Sequence, residues 1–397
     1  MCTVMVKPNA KIKQYQALKG LSSIEPPIWL AIMANKYENP LIVDAEALDL
    51  TMEETVEKIK KLNPTKVVLL AIGSHPSSFV QQRDSVKELA SLLKGIEVET
   101  HYKLNINPII CGNPRWDLLD MSLYRSHNWH SWTNYGSTSG YGVNYTSISC
   151  PFRCNFCVVK DFYGDKYQER PINDIMKDFD VLADNYCVNI KLMDELFIYN
   201  KNRVKMICDE IINTGYNFNI WTYARIDIMT SQILEIMRKA GIRWLAYGIE
   251  SGNDDIRKGA LKGNFNKDKI RDVIKMTSDY GICSLGNYMF GFEDDDMDTM
   301  KETLDFAKEL NCEYSNFYCT VNYKKEAKDS NQFAQMGENF KPSPTKYLKA
   351  EEVLKFRDNA FMNYFTDEGY LNSMNHKFGM GIVDNIKQMT DIKLIRK

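Results

Sequence analysis

The chain has 397 residues, with 50 Lys and Arg against 52 Asp and Glu, giving a net charge of −2. That balance provides no broad basic field for nucleic acid or an anionic membrane, and no apolar run approaches the roughly twenty residues that span one. Ten cysteines among 44% hydrophobic residues do not read as a secreted disulfide framework, and the start Met1-Cys2-Thr3-Val4 opens no signal peptide, so a reducing, cytoplasmic setting is expected.

Residues 1–115 predict a small Rossmann-like α/β domain. Strand-like runs at Pro40–Asp44 and Lys66–Ile72 alternate with helical patterns near 28–37, 51–62 and 79–93. No G-x-G-x-x-G follows either strand, which disfavours a dinucleotide. The run Gly95-Ile96-Glu97-Val98 is followed almost directly by Ile109-Ile110-Cys111-Gly112. Residues 116–143 form an aromatic-rich linker holding His127, Trp129, His130 and Trp132, then Tyr135 and Tyr141. Two readings stay open for it: the floor of a binding pocket, or an aromatic clamp joining two domains.

Residues 144–325 alternate short strands with helices. The strands are placed at Tyr145–Ser149, Asn189–Asp194, Asn217–Arg225, Trp244–Glu250, Ser284–Gly291 and Asn316–Val321, and the helices near 171–186, 201–214, 230–240, 267–280 and 297–310. Gly215, Gly241 and Gly281 stand where helix C-caps run into strands. Six such units predict a partial (β/α)6, TIM-like barrel with a parallel sheet, whose chemistry sits at the C-terminal strand ends. Residues 326–397 read as a helical extension.

The first of these strands leads into Cys150-Pro151-Phe152-Arg153-Cys154-Asn155-Phe156-Cys157. Thiolates this closely spaced suit a soft centre, zinc or an iron–sulfur cluster. Zinc wants a fourth Cys or His nearby, yet His130 and Cys187 are distant. Three thiolates hold three irons of a cubane and leave the fourth open; the bland alternative is three cysteines with no ligand role. Further candidates end the next strands. Asp194 and Glu195 form an acidic pair, or else a helix N-cap and first-turn acid. Arg225 can fork onto a carboxylate, or pair with a neighbouring acid. Glu250, followed by Ser251 and flanked by Gly248 and Gly252, can accept ribose hydroxyls where glycine lets backbone approach. Met289 and Phe290 read as plain core. Cys283, Cys312 and Cys319 lie at no cluster spacing and read as free thiols, and the acidic run from Glu293 to Asp296 reads as a helix first turn.

The cysteine spacing, with the aromatic Phe156 before the third thiol, resembles the signature of the radical S-adenosylmethionine (radical SAM) superfamily. The resemblance implies a 4Fe–4S cluster on Cys150, Cys154 and Cys157, whose open iron binds the amino and carboxylate groups of SAM. The reduced cluster then passes one electron to the sulfonium, giving methionine and a deoxyadenosyl radical. It also implies SAM contacts from Phe156, Glu195, Arg225, Glu250, Ser251 and Met289, and an electron donor such as flavodoxin or ferredoxin.

The N-terminal wording is similar to the cobalamin-binding domain of cobalamin-dependent radical SAM enzymes. It carries Pro26-Pro27 before a helix, Val43-Asp44-Ala45, a strand ending in Gly73-Ser74-His75-Pro76, and the Pro114–Leu119 linker. It departs from that pattern in being shortened after the third strand and in lacking D-x-H-x-x-G, since Gly73 stands two residues before His75. The implied function is a cobalamin-dependent methyltransferase acting on an unactivated carbon of a small metabolite. The alternative is a cobalamin-independent enzyme that abstracts hydrogen for rearrangement, epimerisation or cyclisation, with the first domain kept as scaffold. No basic RNA-binding module is evident, and neither nucleic acid nor membrane is expected as a partner.

Overall fold

The computed structural model describes residues 2–73, 76–104, 107–134, 136–322 and 333–397, with residues 76–81 described as helix backbone only. The readings at Ser74, His75 and Tyr135 fall outside the described residues. The N-terminal domain is a four-stranded parallel sheet in the order Pro40–Asp44, Thr3–Lys7, Lys66–Leu70, Glu97–His101. The strand Thr3–Lys7 is absent from the sequence reading, yet it lies inside the sheet and is buried throughout. A strand covered on both faces shows no apolar–polar alternation to mark it. Its side chains alternate all the same: Val4 and Val6 pack with Val43, Ile59 and Val86 on one face, while Met5 joins Trp29 and Leu30 on the other. The helix Met52–Lys61 starts from a capping box between Thr51 and Glu54.

The second unit is a six-stranded parallel sheet in sequential order: Tyr141–Asn144, Asn189–Leu192, Asn219–Ala224, Ile242–Glu250, Cys283–Phe290 and Tyr314–Cys319. Five helices, Ile172–Asp184, Lys201–Thr214, Ser231–Lys239, Lys267–Asp279 and Met297–Leu310, connect them. This is the partial, open β/α barrel the pattern predicts. Gly215 ends its helix in the left-handed conformation at φ 73°, where a Cβ would be strained.

One strand needs correcting. The first barrel strand is Tyr141–Asn144, paired with Asn189–Leu192, and not Tyr145–Ser149. The chain leaves the sheet there because Asn144 Oδ1 accepts the Tyr145 N–H at 2.8 Å and Asp194 accepts the Thr146 N–H at 2.7 Å. Ser147–Ile148 instead forms a small antiparallel ribbon with Gln168–Glu169.

The aromatic linker packs against the barrel strands. Trp129 lies 5.3 Å from Trp221, 5.1 Å from Trp244 and 5.7 Å from Tyr314 by ring centroids, so it caps the inside of the sheet. His130 bonds the Asn219 carbonyl at 2.8 Å, and the Trp244 indole donates to Thr133 Oγ1 at 2.8 Å. Asn219 and Trp244 sit at the N-terminal ends of their strands, so the linker plugs the barrel floor. Beside it, Arg170 donates to Asp178 Oδ2 at 2.6 Å and to Asn144 Oδ1 at 3.1 Å. Trp116 and Asn113 each donate to Asp178 Oδ1 at 2.9 Å. This buried network fastens the linker to the first strand and the first helix.

Three helices, Ala350–Phe365, Glu368–Phe378 and Met380–Asp391, form the C-terminal extension. They cover the last strand, with Tyr364 and Tyr370 donating to the carbonyls of Cys312 at 2.6 Å and Glu313 at 2.9 Å. One hydrophobic core runs through both sheets' facing sides, the linker and the extension. No helix among the described residues is long and apolar enough to cross a membrane.

Candidate active site

Between the two sheets lies a cavity of about 550 Å³, within the range that encloses small-molecule ligands. Cys150, Cys154 and Cys157 line it together with Phe156, Glu195, Arg225, Glu250 and Met289. Eight of the nine residues expected at the site therefore share one wall. Ser251 is the exception. It is fully buried, its hydroxyl lies 3.1 Å from Thr303 Oγ1 and accepts the Asn253 N–H at 3.0 Å, so it shapes the turn after Glu250.

The cysteine loop is aimed by the backbone ahead of it. Ser149 takes a left-handed φ of 68°, and its hydroxyl donates to the Gly164 carbonyl at 2.6 Å. Asp194 is neither a helix cap nor part of the cavity lining. Fully buried, it accepts from Thr146 Oγ1 at 2.5 Å and Ser147 Oγ at 2.6 Å, tying the end of the second strand to the entrance of the loop. Cys150 and Cys154 are half-buried, Cys157 is exposed, and burial pushes the Cys150 thiol upward. Among the described residues no three Cys, His, Asp or Glu side chains come close enough to hold a single ion. A cubane, whose irons are ligated one by one, spreads three thiolates further than a tetrahedral zinc does. The donor set fits a cluster.

Arg225 reaches toward that loop. Its Nη1 lies 3.8 Å from Cys154 Sγ and its guanidinium 3.7 Å from the centre of the Phe152 ring. Asp227 holds it bidentately at 3.0 and 2.7 Å. Burial would lower the guanidinium, but Asp227 and Cys154 outweigh it. Glu250 is 6% exposed at φ 68°, and Lys262 donates to its Oε1 at 2.7 Å. Phe156 and Met289 pack with Phe292 beside them.

Glu195 has no partner for Oε1. Burial carries its carboxyl up to about 8, against the pull of Lys191 and with the push of Asp194. The folded protein thus keeps a proton that the unfolded chain sheds above about 4.5, so stability falls as pH rises through that window and levels off above about 8. Glu195→Gln should flatten this slope, read from urea midpoints across the same range.

The opposite wall comes from the N-terminal domain. Lys7 and Lys11 share Glu46 at 3.2 and 3.6 Å, and Glu25 pairs with Lys191 from inside the barrel at 2.9 Å. Ile72 and Gly73, at the end of the third strand, and the glutamines Gln14 and Gln82 also face the cavity. Gln14 Nε2 and Gln82 Oε1 are buried with no hydrogen-bond partner, a costly arrangement unless something else fills that role. Sequence reasoning missed these glutamines and Lys262. Lys262 lies on a turn, Gln14 on the short helix Lys11–Tyr15 and Gln82 within the helix Pro76–Leu92, and no motif singles any of them out.

Residues 144–307 match the radical SAM superfamily. An uncharacterized methyltransferase of Pyrococcus horikoshii is 26% identical over 211 residues, 53% of this chain and 44% of its own length. Cytidylyl-2-hydroxyethylphosphonate methyltransferase of Streptomyces wedmorensis is 21% identical over 212 residues, 52% of this chain and 40% of its own. The chain thus spans less than half the length of these curated relatives.

Among solved structures, the radical SAM methyltransferase TsrM of Kitasatospora setae, with cobalamin and a 4Fe–4S cluster bound, superposes with a TM-score of 0.59 at 14% identity, covering 80% of this chain and 74% of that one. The cobalamin-dependent radical enzyme OxsB, with aqua-cobalamin and SAM bound, gives a TM-score of 0.56 at 13% identity over 84% of this chain and 54% of its own. At such identities the likeness is one of fold. The segment that matches the radical SAM superfamily, residues 144–307, carries the cysteine loop and most of the parallel sheet.

Proposed function

We propose that this protein cleaves SAM reductively at a 4Fe–4S cluster on Cys150, Cys154 and Cys157, and methylates an unactivated carbon of a small molecule with the help of cobalamin held between its two domains. The observation that carries this reading is the single cavity joining the cysteine loop to the C-terminal edge of the N-terminal sheet. When bound, the cluster supplies an electron to the sulfonium and cobalamin supplies a transferable methyl group. The chain's own residues bind and orient. Arg225 offers a charged fork beside the loop, Glu250 offers Oε2 to ribose hydroxyls, and Phe156 and Met289 flank the nucleobase. The plugged floor and the aromatic lining keep water from the reacting centre.

The corrin fits by chemistry. Its rim is fringed with amides, and the unpartnered amide atoms of Gln14 and Gln82 stand at the domain edge beside Ile72 and Gly73. A second reading, hydrogen abstraction without cobalamin, is favoured by the same edge. Its sheet has four strands, and the buried Lys7–Glu46–Lys11 charges fill part of it. An acidic one-electron donor such as flavodoxin or ferredoxin, in a reducing cytoplasm, completes the proposal.

The test is anaerobic reconstitution with iron and sulfide, followed by incubation with SAM and a reductant, with and without cobalamin. Formation of 5′-deoxyadenosine and a corrin spectrum that survives gel filtration are expected. Cleavage without corrin retention selects the second reading, and a chain that loads no cluster overturns both.

A further inference from the structure

The turn from Gly259 to Gly263 belongs to no barrel strand, yet it touches the cysteine loop, Arg225 and Glu250. The backbone N–H of Asn155, within the cysteine loop, donates to the Ala260 carbonyl at 3.2 Å, and the Asn155 amide donates to the Gly259 carbonyl at 3.1 Å. The Lys262 carbonyl accepts from Arg225 Nη2, and the Lys262 ammonium donates to Glu250 Oε1 at 2.7 Å. Lys262 is 8% exposed and lines the cavity, whereas its neighbour Leu261 is 61% exposed at a left-handed φ of 55°. That backbone geometry, uncommon outside glycine, turns Leu261 outward and Lys262 inward.

Gly248 shows how closely the pair is fitted. A Cβ there would lie 2.4 Å from Glu250 Oε1 and 2.4 Å from Lys262 Nζ. No residue with a side chain can stand at 248 without moving one partner. Burial alone would push the Lys262 ammonium down, but Glu250 and then Cys154 outweigh it.

We infer that Lys262 is a positioning residue, holding Glu250 through its ammonium and Arg225 through its carbonyl so that the nucleoside end of SAM and the cysteine loop stay in one register. The inference rests on the SAM-cleaving reading above. By taking Oε1, Lys262 fixes the carboxylate plane and leaves Oε2 for the ligand. Without it, the buried Glu250 carboxylate would lose the ammonium that fixes its orientation. Groups that orient metal-ligating side chains in this way cost about 10–100-fold when lost, and a loss of the same order is expected here.

The experiment compares the reconstituted full-length protein with Lys262→Met, Lys262→Arg and Gly248→Ala. Iron content should be unchanged, since every thiol remains. SAM affinity, read as the change SAM makes in the EPR spectrum of the reduced cluster, should weaken about 10–100-fold in Lys262→Met. Gly248→Ala, which crowds the pair without deleting the lysine, should show the same loss, and Lys262→Arg should recover part of it. A Lys262→Met protein with normal iron and an unaltered SAM response overturns the inference. An unaltered chain that loads iron yet shows no SAM response overturns the reading of the whole site, and is distinguished because it fails before any substitution is made.

Discussion

Replacing Cys154 with alanine is expected to abolish both the brown cluster and SAM cleavage. Cys154 is the middle thiol of the loop, half-buried and facing Arg225 Nη1 at 3.8 Å. Its loss leaves two ligands for a cubane that needs three, and places the Arg225 cation against a vacated position. Iron retention should fall to the level of unspecific binding, and 5′-deoxyadenosine should fall to that of the protein-free mixture. Cys187→Ala is the matched control, because Cys187 is 1% exposed and outside the cavity wall. It should keep both signals. A Cys154→Ala protein that still forms the cluster and cleaves SAM would remove the basis for the cysteine assignment.

Asp178→Ala is expected to cost about 3–5 kcal/mol of stability without touching the site. Asp178 is 1% exposed and answers Arg170, Trp116 and Asn113 together. Removing it leaves the Arg170 guanidinium, itself 2% exposed, as an unpaired buried charge. Urea midpoints measured with the reconstituted protein should fall accordingly. The double replacement Arg170→Met with Asp178→Leu should recover much of the loss, since an apolar pair of similar volume avoids the stranded charge. Equal losses in single and double variants would show that packing, rather than charge, sets the cost.

Much of this molecule is legible in the chain because its barrel is built from repeated local signals. Gly215, Gly241 and Gly281 mark helix ends, and the helix predicted at 201–214 coincides with Lys201–Thr214. The cysteine spacing is a purely local pattern and identifies its chemistry without a fold. What escaped was decided at long range. Thr3–Lys7 is a strand because two later strands close on it. The first barrel strand ends at Asn144 because Asp194, fifty residues away in round terms, captures the following backbone. Lys262 and the two glutamines owe their positions to a cavity that only tertiary packing creates. Ser251, adjacent to Glu250 in sequence, faces Thr303 because the bulge between Gly248 and Glu250 resets which way successive residues point.

The linker plug bears on modularity. A barrel excised at residue 144 would lose Trp129 and His130, and with them the cover over Trp221, Trp244 and Tyr314. The catalytic half is therefore not a cassette that can be transplanted by cutting where the family signature begins. A crossover made in this chain should succeed only when it falls upstream of the aromatic segment, so that the barrel keeps its own stopper.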